Sequence, residues 1–292
     1  MQWVESLWYH AMAKKKKSAK SNSSGKKSKR TSKRSSKHRN GCLSRFWLVS
    51  VAVLAVLFAC IFFANKYKEQ VRIERSHRED EKVLLNYQVL GIDLSHHQQV
   101  KDWQAVRKAN VRFAYLKATE GLSVEDNKYS NYYDGAKKAG LRVGSYHFFI
   151  FERDAHKQAR FFLTHLRYEK GDLPPVVDVE YESRNRRKPS NNASRRSELQ
   201  RFSDEVFEAL GVYPVFYTNM ECFRDIFEGT KMDNELWISH ISTEKEPNIS
   251  SHWVLWQYTH HGYVPGINGD VDKNVFVGNE EEFLKWINSK WN

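Results

Sequence analysis

The chain has 292 residues, 40% of them hydrophobic and 14% aromatic, which excludes a wholly disordered polymer and predicts one or two domains. Its net charge of +12 points to a nucleic-acid binder only until it is divided by position: residues 1–45 hold 14 of the 47 Lys and Arg and one of the 35 acidic residues, so the remainder carries 33 basic and 34 acidic groups, a net of −1. Of the cysteines Cys42, Cys60 and Cys222, the last alone falls in the globular part, which excludes a disulfide within it.

Residues 1–45 contain a Lys/Ser/Arg tract of low complexity with no apolar period, which predicts a disordered basic tail. That tract has no interleaved aromatics and is explained as a topology signal, so no nucleic-acid partner is expected. Residues 46–64 are 19 in number and carry no charge; at about 1.5 Å per residue a helix of that length nearly matches a hydrocarbon core of roughly 30 Å. They predict a transmembrane helix in contact with membrane lipid. No small-residue cleavage site follows, and the basic cluster before the span predicts a cytoplasmic N-terminus with everything after residue 64 exported, to a periplasm or cell surface. Residues 65–86 mix both charge signs and predict a charged, solvated helical stalk.

From residue 87 to 292, short apolar runs alternate with amphipathic ones. Strands are predicted at 87–95, 111–119, 141–151, 174–181, 212–219, 235–241, 252–260 and 270–277, with helices between the early ones and few between the late ones. The fold class is therefore α/β, an irregular (β/α) barrel of the TIM type with about eight strands and fewer helices.

Active sites of such barrels lie where the parallel strands end, so acidic residues there are the first candidates: Asp93, Asp178, Glu180 and Asp272. Asp178-Val179-Glu180 is the sharpest feature, because residues two apart on a strand share a face and each rises about 3.3 Å. Burial and mutual repulsion between two such carboxyls raise one pKa and leave an acid beside an anion, the equipment for glycosidic cleavage. A solvated or salt-bridged pair is the bland alternative; the apolar flanks Val176, Val177 and Val179 argue for burial, which two carboxyls do not accept without a purpose.

Several motifs in order then resemble glycoside hydrolase family 25, the muramidase-type lysozymes. They are Gly91-Ile92-Asp93-Leu94-Ser95, Lys117-Ala118-Thr119-Glu120-Gly121, Gly144-Ser145-Tyr146-His147-Phe148, Asp178-Val179-Glu180, Tyr217-Thr218, Trp256-Gln257-Tyr258 and Gly269-Asp270-Val271-Asp272-Lys273-Asn274. The resemblance covers about residues 89–280 and implies hydrolysis of the β-1,4 bond between N-acetylmuramic acid and N-acetylglucosamine in peptidoglycan glycan strands, without a cofactor. Carried over, it makes Glu180 the general acid, Asp178 the group that positions or stabilises the substrate acetamido group, and Asp93 and Asp272 the outer carboxylates. Tyr146, Tyr217, Trp237 and Gln257 fall at strand ends where sugars stack or hydrogen-bond, and Lys117 with Glu120 forms a supporting pair or a structural salt bridge.

The adjacent pairs His96-His97 and His260-His261 are not expected to chelate a metal, since neighbours on an extended chain point to opposite faces. His147 is expected to line the cavity, Cys222 to be a small buried hydrophobe, and residues 183–197 to be a mobile basic loop at its mouth. Two alternatives compete: a wall-binding module without turnover, and a glycosidase on another N-acetylglucosamine polymer. The intact acid pair weighs against the first. Against the second stands the absence of further acids before Asp178, where Pro174 and Val176 occupy the alternate positions.

Overall fold

The structure, a computed structural model, describes residues 40–181, 185, 192–232 and 234–291, the first six of them by backbone alone. Most of the basic tail and much of the 183–197 segment lie outside the described residues. Helix α1 (Asn40–Leu84) includes the last tail residues, the apolar run and the charged stalk up to Leu84. From Phe46 it is long and apolar enough to cross a membrane by length and composition, and its large side chains up to Phe63 are exposed. The chain divides into two compact units at Ile61/Phe62, and the second contains the rest of α1 and the barrel.

The stalk is helical as its composition predicts, but one face of it is not solvated. Ser76 and Val83 are buried, and Arg72, Ser76, Glu79 and Asp80 all bond to the barrel. Charge mixture reads as solvation only while no partner surface is known; here the partner is the outer face of two strands far away in sequence.

The barrel is made of β1 (Leu90–Leu94), β3 (Val111–Glu120), β5 (Arg142–Phe148), β6 (Val176–Asp178), β7 (Val215–Asn219), β8 (Leu236–Ser239), β9 (Trp253–Gly262) and β11 (Val271–Phe276). All eight predicted strands are present, and β1 pairs with both β3 and β11 to close the ring. Neighbours from β1 through β3, β5, β6, β7 and β8 to β9 are parallel. By contrast, β11 runs antiparallel to both β9 and β1. The short pairs β2 (Gln99–Val100) with β10 (Ile267–Asn268) and β4 (Val124–Glu125) with β3 lie beside the ring.

Helices α2 (Trp103–Lys108), α3 (Tyr129–Lys138), α4 (Ala155–His165) and α5 (Asn192–Leu210) connect the early strands. A short segment α6 (Met220–Cys222), continuing as a π-turn over Phe223–Phe227, connects β7 to β8, and α7 (Glu280–Ser289) ends the chain. Asp102 and Asp154 cap α2 and α4 by accepting backbone N–H groups, and Asn279 with Glu282 forms a capping box on α7.

Inside the ring, Phe113, Tyr115, Val176, Tyr217, Trp237 and Leu255 share one apolar cluster with Phe283, Trp286 and Ile287 of α7, which plugs the end where the parallel strands begin. Burying each such aromatic contributes about 1.5–3 kcal/mol. Two motif glycines have a packing reason: a Cβ on Gly91 would stand 2.1 Å from the Phe113 ring, and one on Gly144 2.1 Å from the Tyr115 ring. The second cluster, between ring and helices, holds Phe162, Phe202, Phe216 and Cys222, the last fully buried as expected.

Candidate active site

At the end of the ring where the parallel strands finish, a cleft of about 340 Å³ is lined by Asp93, Tyr146, Asp178, Glu180, Tyr217, Trp237, Gln257 and Asp272, with Asn219, Ser239 and His260. Each strand delivers its contribution by alternation. Tyr146 on β5 lies beside Val176 on β6, and Phe148 beside Asp178; Asp178 in turn faces Tyr217 on β7, and Tyr217 faces Trp237 on β8. Asp272 reaches the same cleft from the opposite direction. Because β11 is antiparallel, its beginning lies where β1 ends, and Asp93 and Asp272 are direct register partners.

Asp93 is the hub of the charge pattern. Its Oδ2 accepts from Gln257 Nε2 at 2.9 Å and from Asn274 Nδ2 at 2.8 Å. Gln257 Oε1 accepts in turn from Tyr217 Oη at 2.9 Å and Ser239 Oγ at 2.7 Å, while Asn274 Oδ1 accepts from Trp237 Nε1 at 3.0 Å. Burial pushes the Asp93 carboxyl well above the usual carboxylate range, and the nearby Asp272 and Glu180 push the same way; the donors from Asn274 and Gln257 oppose them. The sequence directs the expectation of a raised carboxyl to Asp178 and Glu180 and not to Asp93, whose neighbours Glu180, Gln257, Asp272 and Asn274 all lie far from it along the chain.

Burial, followed by the surrounding carboxylates, also raises the phenols of Tyr146 and Tyr217, so both stay protonated donors at neutral pH. For Tyr146 those carboxylates include Asp93, Asp178 and Asp272; for Tyr217 they are Glu180, Asp178 and Asp93. The cleft thus combines carboxyl groups with hydroxyl and indole groups, a surface suited to a polyhydroxylated, N-acylated chain.

Lys117 and Glu120 do not line this cleft. They pair with each other at 2.8 Å, both largely buried, with the Lys117 ammonium 5.0 Å from the Phe148 ring centre. His147 departs from expectation as well. Since Tyr146 points inward on β5, His147 points outward, where it is fully buried against Phe162 and Phe202 and bonds to Thr119 Oγ1 at 2.8 Å. Desolvation lowers its pKa to about 3, so it is neutral.

The extended-chain premise needs correction for the first histidine pair and holds for the second, which lies on β9. His96 and His97 follow β1 in a turn, not on an extended chain, and their rings lie 3.9 Å apart, with His96 Nδ1 2.8 Å from Asp126. His260 and His261 each meet a different carboxylate, Asp272 at 2.8 Å and Asp270 at 3.0 Å.

The fold also brings in four groups to which the sequence assigns no place in the site. His260, Ser239 and Asn219 line the cleft, and Asn185 supports it from below. Within the segment expected to be a mobile loop, Asn185 is 3% exposed and the residues from Asn192 onward are helical. The Asn185 amide accepts from Phe151 N at 2.8 Å and donates to Phe149 O at 2.6 Å and Glu180 O at 3.1 Å, which ties the backbone of Glu180 to the end of β5. Ser239 was within reach of strand periodicity, two residues after Trp237. Asn185 carried no signal, because its three partners are backbone groups brought near by folding.

Comparison with known proteins places this arrangement. The profile described as "Glycosyl hydrolases family 25" matches residues 92–267. The autolytic lysozyme of Clostridium acetobutylicum is 34% identical over 187 residues, 64% of this chain and 55% of that protein. Lysozyme M1 of Streptomyces globisporus is 30% identical over 217 residues, 69% of this chain and 72% of its own length. Among solved structures, the bacterial lysozyme from Streptomyces coelicolor superposes with a TM-score of 0.64 at 29% identity, covering 69% of this chain and 98% of that one. With the closed eight-stranded ring and a carboxylate cleft at its end, the chain belongs to glycosyl hydrolase family 25 and is a glycoside hydrolase.

Proposed function

We propose that this glycoside hydrolase is a peptidoglycan N-acetylmuramidase, cleaving the β-1,4 bond between N-acetylmuramic acid and N-acetylglucosamine, and that it acts from a single-pass membrane anchor. The observation that carries the chemistry is the gathering of Asp93, Asp178, Glu180 and Asp272 around one cleft with Tyr146, Tyr217 and Trp237. Glu180 is the general acid, delivering a proton to the leaving glycosidic oxygen. Asp178 orients or stabilises the acetamido group beside the anomeric carbon as positive charge develops there. Asp93 and Asp272 are the outer carboxyl groups that hydrogen-bond sugar hydroxyls, with the Gln257 and Asn274 amides holding Asp93 in place. Trp237 and the two tyrosines orient the ring faces and hydroxyls.

The anchor rests on the apolar stretch of α1 and on the basic residues before it, which favour a cytoplasmic N-terminus and an exported catalytic unit. The substrate is then wall glycan outside the membrane. The test is mass spectrometry of the fragments that the full-length protein, in detergent, releases from purified peptidoglycan, beside the Glu180→Gln variant. Fragments with muramic acid at the new reducing end, lost in the variant, are expected. Fragments ending in N-acetylglucosamine would overturn the bond assignment, and co-sedimentation with the wall without release would make the protein a tether.

A further inference from the structure

The strands that hold Asp93 in place are themselves held by the stalk. Lys273 lies between Asp272 and Asn274 on β11; its two neighbours face the cleft, so its own side chain faces outward, where it is 2% exposed. Its ammonium donates to Asp80 Oδ2 at 2.6 Å, to Asp80 Oδ1 at 2.9 Å and to Ser76 Oγ at 3.0 Å, all on helix α1. The same Asp80 carboxylate accepts from the fully buried Tyr258 hydroxyl at 2.8 Å. Glu79 accepts from Thr259 Oγ1 at 3.1 Å, and Ser76 Oγ accepts from the backbone N–H of Tyr263 at 2.8 Å.

These contacts fall on an irregularity. Along β9 and β11 the register runs Val271 with Gly262, then Lys273 with Thr259, then Asn274 with Gln257. Each step carries an extra residue on β9, and Tyr258 is the extra residue between the last two pairs. Such bulges twist a strand and re-aim its side chains, and they sit beside active sites where that re-aiming is used. Here the residues flanking the bulge, Gln257 and Asn274, are the two amides that donate to Asp93. Asp80 therefore bonds to both strands at the bulge, to Tyr258 on one and Lys273 on the other. Gly262 makes room for the arrangement: a Cβ there would stand 2.7 Å from the aliphatic chain of Lys273.

We infer that Asp80, on the juxtamembrane helix, is a positioning residue of the active site, acting through Lys273 and Tyr258 to fix the β9/β11 bulge that aims Gln257 and Asn274 at Asp93. The inference deepens the muramidase assignment and rests on it for its kinetic consequence. The stalk is then part of the catalytic unit and not a spacer, and the functional domain begins near Arg72 instead of residue 87. Removing the carboxylate leaves Lys273 as a buried cation and frees the bulge; displacement of supporting groups by a fraction of an ångström to 1 Å lowers turnover by about tenfold to a hundredfold.

The test uses full-length protein in detergent, with hydrogen–deuterium exchange and steady-state kinetics on Asp80→Asn, on Asp80→Asn/Lys273→Met, and on Lys82→Ala. The double variant removes the stranded cation should the single one fail to fold. Lys82, on the same helix as Asp80, pairs at 3.3 Å with Glu244 of the segment between β8 and β9, both exposed, and its variant is expected to match wild type. For the Asp80 variants the expected result is faster exchange confined to peptides covering 253–262 and 271–276, unchanged exchange in 142–148, and kcat reduced about tenfold with KM within about twofold. Unaltered exchange, exchange raised uniformly over the barrel, or wild-type kcat in the folded double variant overturns the inference. The exchange pattern decides the clasp independently of turnover, so a wild-type protein that releases no fragments refutes the muramidase assignment alone.

Discussion

The two sides of the barrel build their share of the cleft by different means. On the parallel side, β5, β6, β7 and β8 run in unbroken register with one another and deliver Tyr146, Asp178, Tyr217, Trp237 and Ser239 by simple alternation. On the other side, β9 and β11 carry register shifts, β11 is reversed, and an outside helix braces both. A regular strand needs only its hydrophobic partners to aim a side chain. An irregular one leaves more than one register open, so it needs bonds from elsewhere to choose.

The sharpest way to break the comparison is at Glu180, the proposed acid. Glu180→Gln is expected to lower kcat by about a thousandfold or more while leaving the thermal midpoint within a few degrees, because the amide keeps the volume and loses the proton. Reducing-end release from purified glycan, with a melting curve beside it, checks both parts. A residual activity above a few per cent would move the acid to another of the four carboxyls.

Next in size is the brace on the parallel side. Asn185→Ala removes three hydrogen bonds to backbone groups at the Glu180 end of the cleft and leaves those groups buried without their partner. The expected outcome is an about tenfold to hundredfold loss in kcat and a destabilisation of about 2–3 kcal/mol. Denaturant unfolding and kinetics at saturating glycan measure the two separately.

Stability against pH sharpens the contrast, since His147 and Asp93 respond with opposite sign. His147 stays neutral in the folded chain down to about 3, while an unfolded histidine takes a proton below about 6.5. Its contribution is thus complete above that upper value and is lost as the pH falls between the two, by on the order of a few kcal/mol. His147→Gln is expected to flatten the acid limb of a plot of thermal midpoint against pH. A limb of unchanged slope would mean that the loss arises at other groups.

Asp93 behaves the other way. Its folded pKa lies above its unfolded one, so the native state loses stability as the pH rises from about 4 through the folded value. Asp93→Asn keeps an oxygen to accept from Gln257 and Asn274 but removes the buried charge. The variant is expected to be more stable than wild type at pH 7 and to converge with it in acid, while its activity falls. Equal midpoints at pH 7 would show that the Asp93 carboxyl is tolerated in the fold without strain.

Much of the candidate site was legible because its clues are local. The strand Val176–Asp178 and the following Glu180 announce two carboxyls at a buried strand end. His147 went wrong through position and not through chemistry: its neighbour Tyr146 took the inward side, and alternation left it the outward one. Lys117 and Glu120 pair with each other, and neither lines the cleft. Asn185 was invisible, since an asparagine in a basic segment has no signature until the backbone groups it staples are assembled.

What the sequence determined by itself was therefore the set of local units: an apolar run long enough for a membrane, eight strands, and acids and aromatics at their ends. Hydrophobic periodicity and motif spacing act over a few residues and are written in the chain. Only the tertiary structure decided that β11 runs backward so that Asp272 meets Asp93, that β9 carries extra residues beside Gln257, and that the charged stalk turns Ser76 and Asp80 to the barrel. Strand direction, register and helix docking depend on contacts between segments nearly 200 residues apart, such as Ser76 with Lys273, and no local pattern encodes a partner that far along the chain.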